Sequence, residues 1–157
     1  RIQEADGAWF GRWGVNYIYG TSLVLVGLRG AGVERDSDMI QSAVAWLESV
    51  QNPDGGWGET CGTYEDPAWR GVGVSTASQT AWALNGLLSA GEMHNFRLQA
   101  GIDYLLCNQE QDGSWIEFHY TGAGFPRIFY LRYDYYRVYF PLIALSRYRA
   151  HLRESQR

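Results

Sequence analysis

Apolar residues recur at helical spacing in four stretches of the chain. In SDMIQSAVAWLESVQ (37–51), Ile40, Ala43, Val44, Leu47 and Val50 share one face, and Ser37 stands where an N-cap is expected. In NFRLQAGIDYLLCNQ (95–109), Leu98, Ile102, Leu105 and Leu106 repeat the pattern, with Asn95 as the cap. TSLVLVGLRGAG (21–32) and SQTAWALNGLLSAG (78–91) are two further helices that run into glycines, the residues that most readily end a helix. Two-residue alternation finds little support, so the pattern predicts an all-α chain.

A repeat organises these helices. QEADGAW (3–9), QNPDGGW (51–57) and QEQDGSW (109–115) share Gln, two variable residues, Asp-Gly, a small residue and Trp. The tryptophans are separated by 48 and 58 residues, so a unit holds about fifty residues, the range of repeat architectures. Each of the last two motifs follows a predicted helix, and Pro53 and the Asp-Gly pairs turn the chain. A unit is thus a helical hairpin that stacks on its neighbours. A Gln there can bond unsatisfied backbone groups at its own helix end or at the next helix's start. The Trp ring can cover those bonds from water. Gln3, Gln51, Gln109, Trp9, Trp57 and Trp115 are therefore expected to be structural staples.

Composition narrows the function classes. At 157 residues the chain is about one domain, and 46% hydrophobic with 19% charged residues excludes a disordered segment. A net charge of −4 without a basic face argues against nucleic acid. The longest apolar run, SLVLVGL (22–28), is far shorter than a membrane span, and no signal peptide is present. The start, RIQEADGAW, lacks an initiator Met and reads as a chain cut within its first motif. Cys61 and Cys107 make no disulfide framework, and with His94, His119 and His151 they have no metal-ligand spacing, so no metal or cofactor is expected. Glu65 and Asp66 are adjacent and precede Pro67, which suits a turn better than an acid pair.

The stretch GFPRIFYLRYDYYRVYFPL (124–142) does not fit a core helix: eight of its nineteen residues are aromatic. Phe125, Phe129, Tyr133 and Tyr136 fall at i, i+4, i+8 and i+11, one face if the segment is helical. Pro126 would then start a helix and Pro141 end or kink it. Tyr130, Tyr135, Tyr139 and Phe140 would form the packed back of that face.

The Gln–Asp-Gly–Trp repeat resembles the QW motif of triterpene cyclases. DGAWFGRWGVNYIYGT (6–21), QNPDGGWGETCGTYEDP (51–67), STASQTAWAL (75–84) and GAGFPRIFYLRYDYYRVYFPLIALSRYR (122–149) are similar, in colinear order, to the bacterial squalene–hopene cyclases. Gly124-Phe125-Pro126 resembles the squalene-using branch in particular. The resemblance implies that residues 1–157 are the C-terminal portion of an α/α-barrel of the terpenoid cyclase and prenyltransferase toroid class, incomplete here, with repeats at 3–9, 43–57 and 101–115. The implied activity is a protonation-initiated carbocation cascade from linear squalene to pentacyclic hopanoids, an isomerase or intramolecular transferase, or a lyase. The Asp-x-Asp-Asp motif that supplies the acid is expected upstream of Arg1, so the chain alone is expected to be inactive.

Carried over residue by residue, the resemblance implies that Phe125 and Phe129 face the later ring cations and that Tyr133 and Tyr136 line the same cavity nearer the early rings. Leu131 is an apolar wall residue, Trp13 another lining ring, and Tyr19 part of the network that positions the missing acid; Tyr17 is a weaker match. An aromatic face attracts a cation through its quadrupole and does not capture it, as a carboxylate or water would. Ala123, where many relatives have Thr, and Arg127-Ile128 after Pro126 depart from the family pattern, which bears on the product more than on the reaction class. Implied partners are a squalene-type isoprenoid and the cytoplasmic face of a bacterial membrane, bound monotopically; a homodimer is compatible. Two other readings share the helical repeat: another isoprenoid cyclase or prenyltransferase-like subunit, and a non-catalytic helical binding module.

Overall fold

The computed structural model describes residues 2–155. Its helices are α1 (Tyr17–Gly30), α2 (Asp38–Ser49), α3 (Ala77–Ala90), α4 (Phe96–Cys107) and α5 (Tyr136–Glu154). Two 3-10 turns, Cys61–Tyr64 and Pro67–Trp69, precede α3, and an antiparallel hairpin, β1 (Gly122–Phe125) and β2 (Phe129–Leu131), precedes α5. The centre is α3, whose residues are all buried except Ser89. The other four helices pack around it. A helix enclosed on every side must be small or apolar all round, and TAWALNGLL is.

The predicted caps are partly realised. Asn95 Oδ1 accepts from the Arg97 amide at 2.9 Å, and α3 ends at Gly91 in the left-handed conformation. Ser37 occupies the N-cap of α2 but makes no capping bond. Thr76 caps α3 by accepting from the Gln79 amide.

The three motifs fold into one turn. In each, the Asp carboxylate accepts from the amide two residues on: Asp6 from Ala8 (3.2 Å), Asp54 from Gly56 (2.9 Å) and Asp112 from Ser114 (2.9 Å). The glycine that follows has a positive φ, 97°, 87° and 83° at Gly7, Gly55 and Gly113, which is why Gly follows Asp in all three. The motif Gln donates to the carbonyl four residues on, in Gly7, Gly55 and Gly113. Gln3 and Gln51 also donate to Met39 and Arg97, in the first turns of α2 and α4. Sequence reasoning gave Gln the helix-end bonding, and at the C-terminal ends the Trp does this instead. The indole N–H of Trp57 donates to the Leu47 carbonyl in the last turn of α2 (2.7 Å), and that of Trp115 to Leu105 in α4 (2.8 Å). The backbone amides of Trp9 and Trp57 donate to Thr21 of α1 and Thr80 of α3.

The repeat also extends two residues beyond its Trp, to Glu59 and Glu117 in the second and third copies, with Gly11 in the first. Both glutamates are buried, and each reaches back to the helix that follows the preceding motif. Glu59 Oε2 accepts from the amides of Asn16 (3.1 Å) and Ile18 (2.9 Å) at the start of α1. Glu117 accepts from the Ser78 amide and hydroxyl at the start of α3, both at 2.9 Å, and from the Thr121 hydroxyl at 3.0 Å. First-turn amides have no partner within their own helix, and the helix dipole favours an anion there.

The segment 124–142 differs from the single helix its spacing predicts. Gly122, Gly124 and Pro126 disfavour a helix, and the chain instead makes the hairpin, with Arg127 in its turn at φ 70°. Phe125 lies in β1, Phe129 in β2, Tyr133 in the connection and Tyr136 at the start of α5, so these four do not share a helical face. Pro141 lies inside α5 without ending it. Its missing N–H removes one intrahelical bond, to the Arg137 carbonyl, in the second turn, and the helix continues past it.

Two outcomes follow for stability. Trp57→Phe leaves the Leu47 carbonyl without its indole donor and is expected to cost about 1–3 kcal/mol, read as a lower midpoint in chemical denaturation; an unchanged midpoint would show that the bond contributes nothing net. Burial raises the carboxyls of Glu59 and Glu117 above their ordinary value, so the native state keeps protons that the unfolded chain has released. Stability from these groups is greatest at acid pH and declines as pH rises through the raised native values. Glu117→Gln is neutral throughout, so its Tm relative to the parent is expected to improve from about pH 4 to about pH 7; a constant difference would contradict the raised value.

Candidate active-site wall

Stretches distant in sequence meet where residues 13–15 run antiparallel to 121–123. Gly14 bridges Gly122, the Val15 amide donates to the Thr121 carbonyl at 2.9 Å, and the Ala123 amide donates to the Trp13 carbonyl at 2.8 Å. Rings lie directly on both glycines. A Cβ on Gly14 would stand 2.4 Å from the Tyr19 ring and 3.0 Å from that of Trp82, and one on Gly122 would stand 2.5 Å from Tyr133. Any side chain at either position would displace an aromatic ring.

From this junction the rings run on in contact. Tyr19, in the first turn of α1, packs edge-on against Trp82 of α3 at 4.9 Å between centroids. Trp82 meets Tyr136 at 5.8 Å and Phe140 at 5.4 Å. Tyr136 stacks on Tyr133 at 4.6 Å and touches Tyr139 at 5.7 Å. An apolar recess of about 170 Å³ lies beside Trp82 and Phe140, lined also by Leu23, Val26 and Ile143. Phe125 and Phe129 form a second group, edge-to-face at 5.6 Å across the hairpin.

Several predicted site residues expose large rings: Trp13 is 57% accessible, Phe125 58%, Phe129 43% and Tyr133 38%. Tyr136, Tyr19 and Leu131 are half-buried, and Leu131 pairs with Gly122 across the hairpin. Tyr17 lies apart from this group, buried against Phe10 with the Arg70 guanidinium over its ring at 4.8 Å. Of the residues assigned to a packed back, Tyr130 stacks on Tyr64 and Phe140 is half-buried. Tyr135 is exposed, and Tyr139 joins the phenol cluster.

The cluster is neutral. Burial and then the neighbouring phenols of Tyr139, Tyr19 and Tyr133 push Tyr136 up to about 12. Burial also raises Tyr19 and, with Tyr19 and Tyr133 beside it, Tyr139. These phenols keep their protons at neutral pH. The surface therefore offers electron-rich faces with no phenolate among these raised groups, chemistry suited to holding a cation without capturing it.

Sequence reasoning missed the groups that hold this surface from behind. The Tyr64 hydroxyl donates to the Gly14 carbonyl at 2.8 Å. Gln79 Nε2 donates to the carbonyls of Val15 and Glu59, both at 3.0 Å, and Gln79 Oε1 accepts from the Glu59 amide at 3.0 Å. Glu59 and Glu117 carried a readable signal, the same residue two places after the motif Trp. Trp82 and Gln79 carried none, because both sit within an ordinary apolar helix pattern. Asp66 accepts from the Ala68 amide at 2.9 Å, the turn role expected of it, and Glu65 is exposed near Arg127. Among the described residues no group of three or more His, Cys, Asp or Glu is placed to hold a metal ion, and no helix is long and apolar enough to cross a membrane.

The family model for the squalene-hopene cyclase C-terminal domain matches residues 1–150. A squalene–hopene cyclase of Zymomonas mobilis is 55% identical over 94% of this chain and 22% of its own length. That of Alicyclobacillus acidocaldarius is 52% identical over 95% of the chain and 24% of its own. A dammaradiene synthase of the fern Dryopteris crassirhizoma is 50% identical over 99% of the chain and 25% of its own. The chain spans about a quarter of the length of these relatives. Repeat, helical architecture and family match agree, and the chain belongs to the squalene–hopene cyclase family as its C-terminal domain sequence.

Proposed function

We propose that the protein carrying this chain is a squalene–hopene cyclase-type enzyme, and that these residues supply the cation-stabilising wall of its cavity. In the reaction a proton adds to a terminal alkene of linear squalene. Each remaining π bond then attacks the cation next to it, forming a ring bond and moving the charge on. Loss of a proton ends the cascade in a pentacyclic hopanoid isomeric with squalene. The protonating acid is assigned to the rest of the protein, since no Asp-x-Asp-Asp occurs in these 157 residues.

One observation carries this reading: a cluster of neutral rings, Tyr19, Trp82, Tyr136 and Tyr133, meets at the Gly14–Gly122 bridge, and the strands joined there also carry the exposed rings of Trp13 and Phe125. Exposed rings in such number are unfavourable in water and mark a surface with something to bind. In this assignment Phe125 and Phe129 face the later cations, Tyr133 and Tyr136 the earlier ones, and Trp13 and Leu131 shape the path. Tyr19 supports the network that orients the acid. A desolvated ring contributes about 2 kcal/mol to a cation at its face, on the order of tenfold or more in rate. Relatives named for different products match this segment about equally well, so the wall is the shared element and product choice is set by finer shape. Squalene's insolubility makes a membrane its source, and we place the enzyme monotopically on the cytoplasmic face of a bacterial membrane.

Phe129→Ala in the full-length protein tests the assignment. The ring is partly exposed, so its loss is expected to leave folding intact. With squalene, analysed by gas chromatography and mass spectrometry, the variant is expected to turn over about tenfold more slowly and release incompletely cyclised products. An unchanged product profile would remove Phe129 from the wall.

A further inference from the structure

We infer that Glu59 is a positioning residue for the Trp13–Tyr19 edge of the wall, acting through the amides of Asn16 and Ile18. The inference rests on the cyclase reading above and adds to it a residue that touches no ring of the wall.

A helix start is usually capped by its own N-cap side chain, and that of α1 is not. The Asn16 side chain makes no bond into the helix. Its Oδ1 accepts from the Gly11 amide at 3.0 Å, and its Nδ2 donates to Thr63 Oγ1 at 3.2 Å. The first-turn amides are served instead by Glu59, 43 and 41 residues away in sequence, at 3.1 and 2.9 Å. A local cap would hold the helix only to itself. This one ties the end of α1 to the second repeat, on a residue that is only 4% accessible. Its own backbone is held on both sides by Gln79, which also holds the Val15 carbonyl.

The location is the second part of the argument. Between Gly11 and Asn16 the chain presents Trp13 and makes the Gly14–Gly122 bridge, and one turn into α1 the Tyr19 ring lies on Gly14. Tyr19 also packs on Trp82, which meets Tyr136. A shift of the helix start therefore moves Trp13 and Tyr19 relative to the hairpin that bears Phe125 and Phe129. The third repeat applies the same device to α3 through Glu117, which marks the glutamate as a feature of the repeat and its use beside Trp13 and Tyr19 as the special case.

The test is carried out on the full-length enzyme with Glu59→Gln, and with Trp57→Phe as a comparison whose lost bond lies at the far end of α2. A pure stability role lowers Tm and leaves the product ratio of the folded enzyme alone. The positioning role predicts that Glu59→Gln, assayed well below its Tm, loses about tenfold in kcat with KM within about twofold, and releases more incompletely cyclised product. Amide exchange at Asn16 and Ile18 is expected to accelerate, while Trp57→Phe changes neither product ratio nor that exchange. Should Glu59→Gln fail to fold, Glu59→Asp, which keeps the charge but shortens the reach, is expected to show the same kcat and product change. Product ratios equal to the parent's in the folded variants would overturn the inference. If the parent itself does not convert squalene, the cyclase reading fails instead, and the exchange measurement alone decides whether Glu59 holds this edge: unchanged exchange overturns it.

Discussion

A helix cannot end inside a packed protein unless its terminal peptide groups find partners, and everything else in this chain depends on how that requirement is met. Four amides at one end and four carbonyls at the other have no partner within the helix, and leaving such a group buried and unpaired costs about 1–3 kcal/mol. Here the partners come largely from the repeated turn. The indoles of Trp57 and Trp115 serve carbonyls in the last turns of α2 and α4, and Glu59 and Glu117 serve amides at the starts of α1 and α3, while Gln3 and Gln51 tie their turns to first-turn carbonyls of α2 and α4. Each unit thus completes its neighbours, and the array is stable as a stack.

This division leaves the chemistry to the connections. The motif tryptophans and the two glutamates lie buried within the stack, while the exposed rings of the proposed wall lie on the loop before α1, the hairpin before α5 and the connection that follows it. A rigid stack with variable connections is the usual way a fold carries a site. The exposed rings would be a liability in a self-sufficient domain, and in a chain that makes up about a quarter of its relatives' length they are consistent with a surface that faces other parts of the protein.

What could be read from sequence follows the same division. The helices with three- and four-residue apolar spacing were legible because each has one buried face: Ile40, Ala43, Val44 and Leu47, and Leu98, Ile102 and Leu105, are all buried. The staples were legible because they recur. The segment after Gly122 was not legible because its aromatics fall at helical intervals by coincidence, and Pro126 is compatible with the start of a helix as well as with the hairpin that forms. Two residues hid for an opposite reason. Gln79 and Trp82 lie within an apolar helix pattern, and nothing local distinguishes a Gln that spans two loops or a Trp that supports a ring cluster from ordinary members of a core.

A wall meant to hold positive charge must keep anions away, yet two buried carboxylates lie among its supports. The arrangement resolves this by direction. Burial raises the phenols of Tyr17 and Tyr64, and the Glu59 carboxyl adds to the shift of both. Tyr19 is raised by burial alone, and Tyr136 and Tyr139 by burial and by one another's neighbours among the phenols. Glu59 Oε2 is turned to the amides at the start of α1, and both oxygens of Glu117 to an amide and two hydroxyls at and near the start of α3. The same carboxyl groups thus fix the starts of α1 and α3, the helices that carry Tyr19 and Trp82, through bonds to backbone amides and hydroxyls and with no hydrogen bond to a ring of the wall.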